Sequence, residues 1–288
     1  MRAINRKLFR DLWRMKGQVL AIVMVIASGV ATAIMSISTH DSLRLTQSTF
    51  YRDYRFADVF ASLKRAPESL AARIAEIPGV RQVETRVAAS ARLEVDNYPD
   101  PVTALIVSLP DHGPPVLNRL FLRTGRLPDA TRENETVITE SFANAHKLKP
   151  GDSLTAVING RRRRLVITGI ALSPEFIYPL QPGALIPDFQ GYGILWMARK
   201  PLSVAYGMDG AFNSLAASIA PTANPQDVVD RLDDLTRRYG GQGAYARKDQ
   251  LSHRYLSEEF KQLEQMAFLF PAIFLGVAGF LLNVVITR

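Results

Sequence analysis

The stretch "DVFASLKRAPESLAARIAEIPGVRQVETRVAASARLEV", Asp58–Val95, decides the fold, because it reads as strand, helix, strand. Leu70, Ile74 and Ile77 recur at helical spacing and mark one apolar face. Pro67 opens that helix and Pro78-Gly79 closes it. The same plan returns in "NSLAASIAPTANPQDVVDRLDDLTRRYGGQGAYARK", Asn213–Lys248. There Asn224 is a candidate cap and Pro225 takes the first helical position. Val228, Leu232 and Leu235 form the face, Gly240-Gly241 ends it, and a short strand over Ala244–Ala246 follows. Two such units imply an α+β layer, with four or more strands covered by two helices.

Between the units the pattern turns to short strands. "SLTAVINGRRRRLVITGIA" is a hairpin, its apolar runs joined at Asn159-Gly160. Upstream, "ETVITESFANAHKLKPGD" reads as a strand, a short helix capped by Thr139 and a turn at Pro150-Gly151. Residues 116–205 are therefore read as a mainly β insert. "SPEFIYPLQPGALIPDFQGYG" forms an ordered loop on it.

Outward from this body lie two runs without charge, "VLAIVMVIASGVATAIMSI" (Val19–Ile37) and "AFLFPAIFLGVAGFLLNVVI" (Ala267–Ile286). As helices they extend about 28 and 30 Å, close to the hydrocarbon thickness of a bilayer. The net charge of +8 is concentrated beside the first run. Residues 1–16 hold Arg2, Arg6, Lys7, Arg10, Arg14 and Lys16 against Asp11 alone. That location argues for a cytoplasmic N-terminus and against nucleic acid. Ile4, Leu8, Phe9, Leu12 and Trp13 fall at helical spacing, so residues 1–16 read as a basic amphipathic helix in the membrane interface. "ATA" at Ala31–Ala33 imitates a signal-peptide cleavage site, but the apolar run continues to Ile37, which favours an uncleaved anchor. Spans are expected over 17–38 and 266–287, with residues 39–265 on the far side of the membrane. Residues 39–54 and 251–265 are read as helical stalks. The sequence has no cysteine, which excludes disulfides, thiol catalysis and Cys-based metal sites.

The inventory for chemistry is thin. There is no phosphate loop, no nucleophile elbow and no HExxH zinc motif. His40, His112, His146 and His253 lie far apart without ligand spacing. Glu133 with Glu135, and Glu258 with Glu259, read as solvated charge. No catalytic, cofactor-binding or metal-binding residue is assigned, no cofactor is expected, and the chain is not read as an enzyme. Arg161–Arg164 invite a nucleic-acid or anionic-lipid reading. On a strand after a hairpin turn they alternate between faces, so they are read as edge-protecting charge. In the spans, Gly29 with Ala33 and Ala272 with Gly276 are small-residue pairs that permit close helix packing. Pro271 is a candidate kink, and Asn283 is an amide expected to bond a neighbouring helix.

The basic start with its apolar run, "LRTGRLPDATRENETVITESFANAHKLKPGDSLTAVINGRRRRLVITGIA" and "FLFPAIFLGVAGFLLNVVITR" together resemble the N-terminal part of an FtsX-like ABC transporter permease with a MacB-type periplasmic core domain. The carriers are Gly125-Arg126 with Pro128, the "ETVITESFA" step and "LKPGDSL". The resemblance implies a porter-like subdomain split over about 55–115 and 206–250, and a sabre-like insert over about 116–205. Residues 266–287 would begin the FtsX-like permease module. It further implies a bacterial inner-membrane location, a cytoplasmic ABC ATPase subunit acting in trans, and a homodimer or heterodimer of permeases. Membrane lipids surround the spans, and a periplasmic adaptor belongs to some such systems. Further membrane helices, a loop to the ATPase and a nucleotide-binding domain are not in the 288 residues, so the chain is expected to be the front part of a longer permease or a split one. The competing reading is a membrane-anchored periplasmic module that binds or regulates, for instance by activating a cell-wall enzyme. An anchored hydrolase is the weakest.

Overall fold

Pro67 and Pro78-Gly79 break the opening stretch where its periodicity changes, into β1 (Val59–Pro67), α2 (Ser69–Ala75) and β2 (Val80–Arg86). α1 (Lys16–Asp53) precedes them. The computed structural model describes residues 10, 13, 15–95 and 98–287; the basic helix expected over 1–16 falls almost wholly outside these. Gly79 adopts φ +93°, and a Cβ there would lie 2.6 Å from that of Ala223, so only glycine fits this turn. The second unit supplies β10 (Ala211–Ile219), α5 (Pro225–Thr236) and β11 (Ala244–Ala246). Asn224 Oδ1 accepts from the Gln226 N–H at 3.1 Å and caps α5 as its sequence predicts.

The four strands form one antiparallel sheet in the order β11-β1-β10-β2. Each strand–helix–strand unit thus straddles a strand of the other, and neither is a sheet by itself. Alternation sends Val59, Ala61, Leu63 and Leu215 to one face, where Leu70 and Ile74 of α2 and Val228 and Leu232 of α5 bury them. At about 1.5–3 kcal/mol for each large aliphatic side chain, this layer is a main source of the sheet's stability.

The chain between the two units builds a seven-stranded sheet. Its members are β3 (Ala88–Glu94), β4 (Val102–Leu109), β5 (Phe121–Gly125), β6 (Glu135–Thr139), β7 (Ser153–Ile158), β8 (Arg161–Leu172) and β9 (Tyr192–Ala198), in the order β5-β8-β6-β9-β4-β3-β7. β7 pairs back onto β8, so six strands close a ring and β5 adds to β8 outside it. Its core contains Ile106, Ile138, Leu165, Ile167 and Leu195. Phe142 of α3 (Glu140–His146) and Leu202 of α4 (Arg199–Tyr206) pack there too. The β7–β8 hairpin turns at Asn159 (φ +46°) and Gly160 (φ +76°), the double positive φ that an Asn-Gly pair supplies.

The β-rich part begins at residue 88, not near 116 as the sequence pattern implies. β3 and β4 pair with β7 and β9, not with the four-stranded sheet. The division falls at fully buried Val87, whose N–H donates to Ser108 Oγ at 2.9 Å and whose carbonyl accepts from the Ser108 N–H at 2.8 Å. No turn residue separates β2 from β3, so a periodicity reading runs through the crossing.

Two units partition the chain: Thr49–Leu256 holds both sheets, and Met1–Ser48 with Ser257–Arg288 holds most of the two long helices. α1 and α6 (Leu251–Ile286) are long and apolar enough to cross a membrane by length and composition. Large apolar side chains along both, such as Met35, Ile34, Phe268 and Phe280, are exposed. Within the helical unit Gly29 meets Phe274, where an added Cβ would lie 3.0 Å from the phenylalanine's own. On α6 the buried alanines are Ala267 and Ala278, while Ala272 is exposed and Gly276 faces open space. Gly29 therefore packs closely within this unit, and a Cβ added at Gly276 would meet no described residue within 4 Å. Asn283 is exposed.

Candidate functional site

β2 places Glu84 and Arg86 on the face of the four-stranded sheet opposite α2 and α5, and both are buried. Arg86 makes a two-pronged pair with Glu175, Nη1 to Oε2 at 2.5 Å and Nη2 to Oε1 at 3.0 Å. Asn118 Nδ2 donates to Glu175 Oε2 at 2.7 Å, and Asn118 Oδ1 accepts from the Ala57 N–H at 2.8 Å. Gln250 Nε2 reaches the Glu175 carbonyl at 2.7 Å, and Ser173 Oγ caps the short turn Pro174–Phe176 that carries Glu175. Glu84 Oε2 accepts from the Leu117 N–H at 2.6 Å. The network joins β2, the 115–118 loop, the Pro174–Phe176 turn and Gln250, just before α6.

Electrostatics separates its members. Burial works against the Arg86 charge, but the charge and hydrogen bonds of Glu175 outweigh it and raise the guanidinium pKa. Burial pushes the Glu84 carboxyl above its usual range, against the Leu117 hydrogen bond and the Arg86 charge. Beside the network is a cavity of about 350 Å³, lined by Arg86, Glu175, Phe60, Tyr192, Ser214 and Tyr245 among others. Burial lifts both phenols, Tyr192 and Tyr245, to about 12, so they stay protonated.

The histidines remain apart. His40 Nδ1 lies 3.4 Å from Asp41, His146 Nε2 sits 2.9 Å from the Gln190 carbonyl, and His253 Nδ1 is 3.0 Å from the Tyr51 hydroxyl. Asp111 Oδ1 accepts from the Lys200 N–H in the first turn of α4. Among the described residues no three His, Asp or Glu side chains converge as a metal site.

Glu135 departs from the solvated reading. It is 4% exposed, and Arg126 grips it with Nη1 at 2.6 Å and Nη2 at 2.5 Å. Arg132 and the Asp129 N–H add to it, and its pKa is lowered, first by the Arg126 hydrogen bonds. It is buried because β6 lies inside the sheet, between β8 and β9. Of the four arginines in a row, Arg162 pairs with Glu94, Arg163 with Glu133 at 3.4 Å, and Arg164 Nε donates to Ser153 Oγ at 2.9 Å. Alternation puts Arg162 and Arg164 on one face of β8 and Arg163 on the other, so the four do not form one patch.

The motifs that carry the resemblance converge on one place. The Arg126 N–H donates to the Thr168 carbonyl at 2.9 Å, and a Cβ on Gly125 (φ +83°) would lie 2.2 Å from that oxygen. The Gly151 N–H donates to the Ile167 carbonyl at 2.8 Å, and the "ETVIT" strand pairs with β8 beside them. These residues brace β8. The Arg86–Glu175 pair left no sequence signal beyond Glu84 and Arg86 sharing a strand face.

No protein-family model matches the sequence, and neither does any curated protein sequence. Among solved structures, the chain is similar to the extracellular domain of the noncanonic ABC-type transporter YknZ from Gram-positive bacteria, at 12% identity and a TM-score of 0.41, over 66% of this chain and 98% of that one. It is also similar to the periplasmic region of MacB from Actinobacillus actinomycetemcomitans, at 13% identity and a TM-score of 0.40, over 73% of this chain and 95% of that one.

Proposed function

We propose that the chain is the permease component of an ABC-type export or mechanotransmission system, driven by a cytoplasmic ATPase subunit in trans. The observation that carries this reading is one folded unit, Thr49–Leu256, bracketed in sequence by two helices long and apolar enough to cross a bilayer. The order of the sequence motifs supports it, as does their role in bracing β8. On this reading residues 39–265 stand outside the bacterial inner membrane and the N-terminus is cytoplasmic. The interleaved four-stranded sheet corresponds to the porter-like part, and the six-strand ring to the sabre-like part. Two permeases, identical or not, work as a dimer, with an adaptor joining in some systems. ATP hydrolysis moves the helices, and the folded unit follows them; the chain performs no chemistry of its own.

Co-purification tests the reading. The full chain, taken from its native membranes into nanodiscs, is expected to bring an ATPase with a nucleotide-binding phosphate loop. That ATPase should hydrolyse ATP faster with the chain than alone. Purified chain without such a partner, or with no change in hydrolysis, contradicts the proposal. A cell-wall hydrolase activated by the chain instead would establish the regulatory alternative.

A further inference from the structure

We propose that the cavity beside Arg86 is a binding site for an uncharged, apolar molecule bearing a carbonyl or ester oxygen. This does not depend on the permease reading. The cavity of about 350 Å³ lies wholly within Thr49–Leu256. It corresponds to roughly a dozen water volumes and falls in the range of small-molecule sites. Phe60, Leu105, Val107, Phe176 and Leu180 give it apolar walls. Tyr245 stacks on Phe60 with ring centroids 5.6 Å apart at 18°, so one wall is already ordered.

Three of the polar groups lining it can offer a donor to an occupant. Both Nη atoms of Arg86 are engaged, but its Nε is buried and has no partner among the described residues. An unmet buried donor is costly, and an acceptor that reaches it recovers that cost. The Tyr192 and Tyr245 hydroxyls make no hydrogen bond to a described residue and keep their protons. The Glu175 carboxylate is committed: Arg86 and Asn118 occupy both of its oxygens.

Charge selects a neutral occupant. Glu175 and exposed Asp249 in the cavity lining disfavour an anion, while the Arg86 guanidinium disfavours a cation at the unmet donor. A neutral oxygen acceptor on an apolar body satisfies both conditions. A ten-carbon methyl ester is of suitable size.

A methyl decanoate carrying a chain diazirine, irradiated with the full chain in nanodiscs, tests this site. Saturable adducts are expected on the peptides of Phe60, Phe176 and Tyr192. The double variant Tyr192→Phe/Tyr245→Phe, which removes only two oxygens, should weaken apparent affinity about fivefold to tenfold. Val107→Trp, which fills the space, should abolish the adducts, and the tyrosine pair decides the matter if this variant misfolds. Unlabelled methyl decanoate should compete, and decanoate anion should compete far less. Adducts confined to α1 and α6, labelling that does not saturate, equal labelling of the tyrosine variant, or equal competition by the anion would each overturn the proposal.

Discussion

The two sheets each bury a carboxylate held by arginine, and they do so in opposite ways. Beneath the four-stranded sheet both partners of Arg86–Glu175 are desolvated, with side chains 9% and 8% exposed. In the seven-stranded sheet Glu135 is 4% exposed while Arg126 keeps 54% of its side chain in solvent. The first pair depends wholly on itself and its neighbours. The second arginine retains its hydration, and Arg132 and a backbone N–H also hold the carboxylate. Breaking the first therefore strands a charge, whereas breaking the second leaves Glu135 two other donors.

The largest expected effect comes from Glu175→Ala, which leaves Arg86 buried and unpaired. A loss of about 3–5 kcal/mol is expected, read as a fall in Tm on the order of 10 °C for a unit of this size. The double variant Arg86→Met/Glu175→Leu should recover most of it, because the desolvation cost goes with both charges. Arg126→Ala should lower Tm clearly less than Glu175→Ala under the same conditions. An equal loss would erase the distinction between the two pairs.

Acid titration sharpens the comparison through its sign. Glu84 has a raised pKa in the folded chain, so its ionised form weakens the fold above that pKa, and the penalty fades as pH falls through it. Glu84→Gln should therefore raise Tm at pH 7–8, with the gain gone below the ordinary carboxylate pKa. Glu135 has a lowered pKa, so its contribution is present above the ordinary value and is lost as pH falls through the folded one. Glu135→Gln should lower Tm near neutrality, and the deficit should shrink in acid. The smallest effect belongs to Arg162→Gln/Arg164→Gln on the exposed strand start, where a change within about 0.5 kcal/mol is expected in chemical denaturation.

Local features of this fold were legible in the sequence, and relations between distant segments were not. Asn224, Pro225 and Gly79 act within a few residues, so cap, helix start and turn lie where their chemistry places them. Interleaving of β10 between β1 and β2 is a choice among strand partners, which periodicity does not encode. Val80–Val95 runs on without a breaker, so the passage from one sheet to the other at Val87 was invisible. Glu135 looked solvated because its neighbours Glu133 and Asn134 are polar, yet the strand between β8 and β9 buries it. Glu175 lies 89 positions from Arg86 in a proline-rich loop, and no local pattern pairs them.

Because the sequence has no cysteine, single introduced thiols report sidedness without background, and they test the proposed membrane topology most directly. A membrane-impermeant maleimide, applied to intact spheroplasts, should label Asp100→Cys and Leu185→Cys, both at exposed positions of the folded unit. It should reach Gln18→Cys and Thr287→Cys only after permeabilisation. Labelling of Gln18→Cys and Thr287→Cys in intact cells, with Asp100→Cys and Leu185→Cys protected, would contradict the proposed topology.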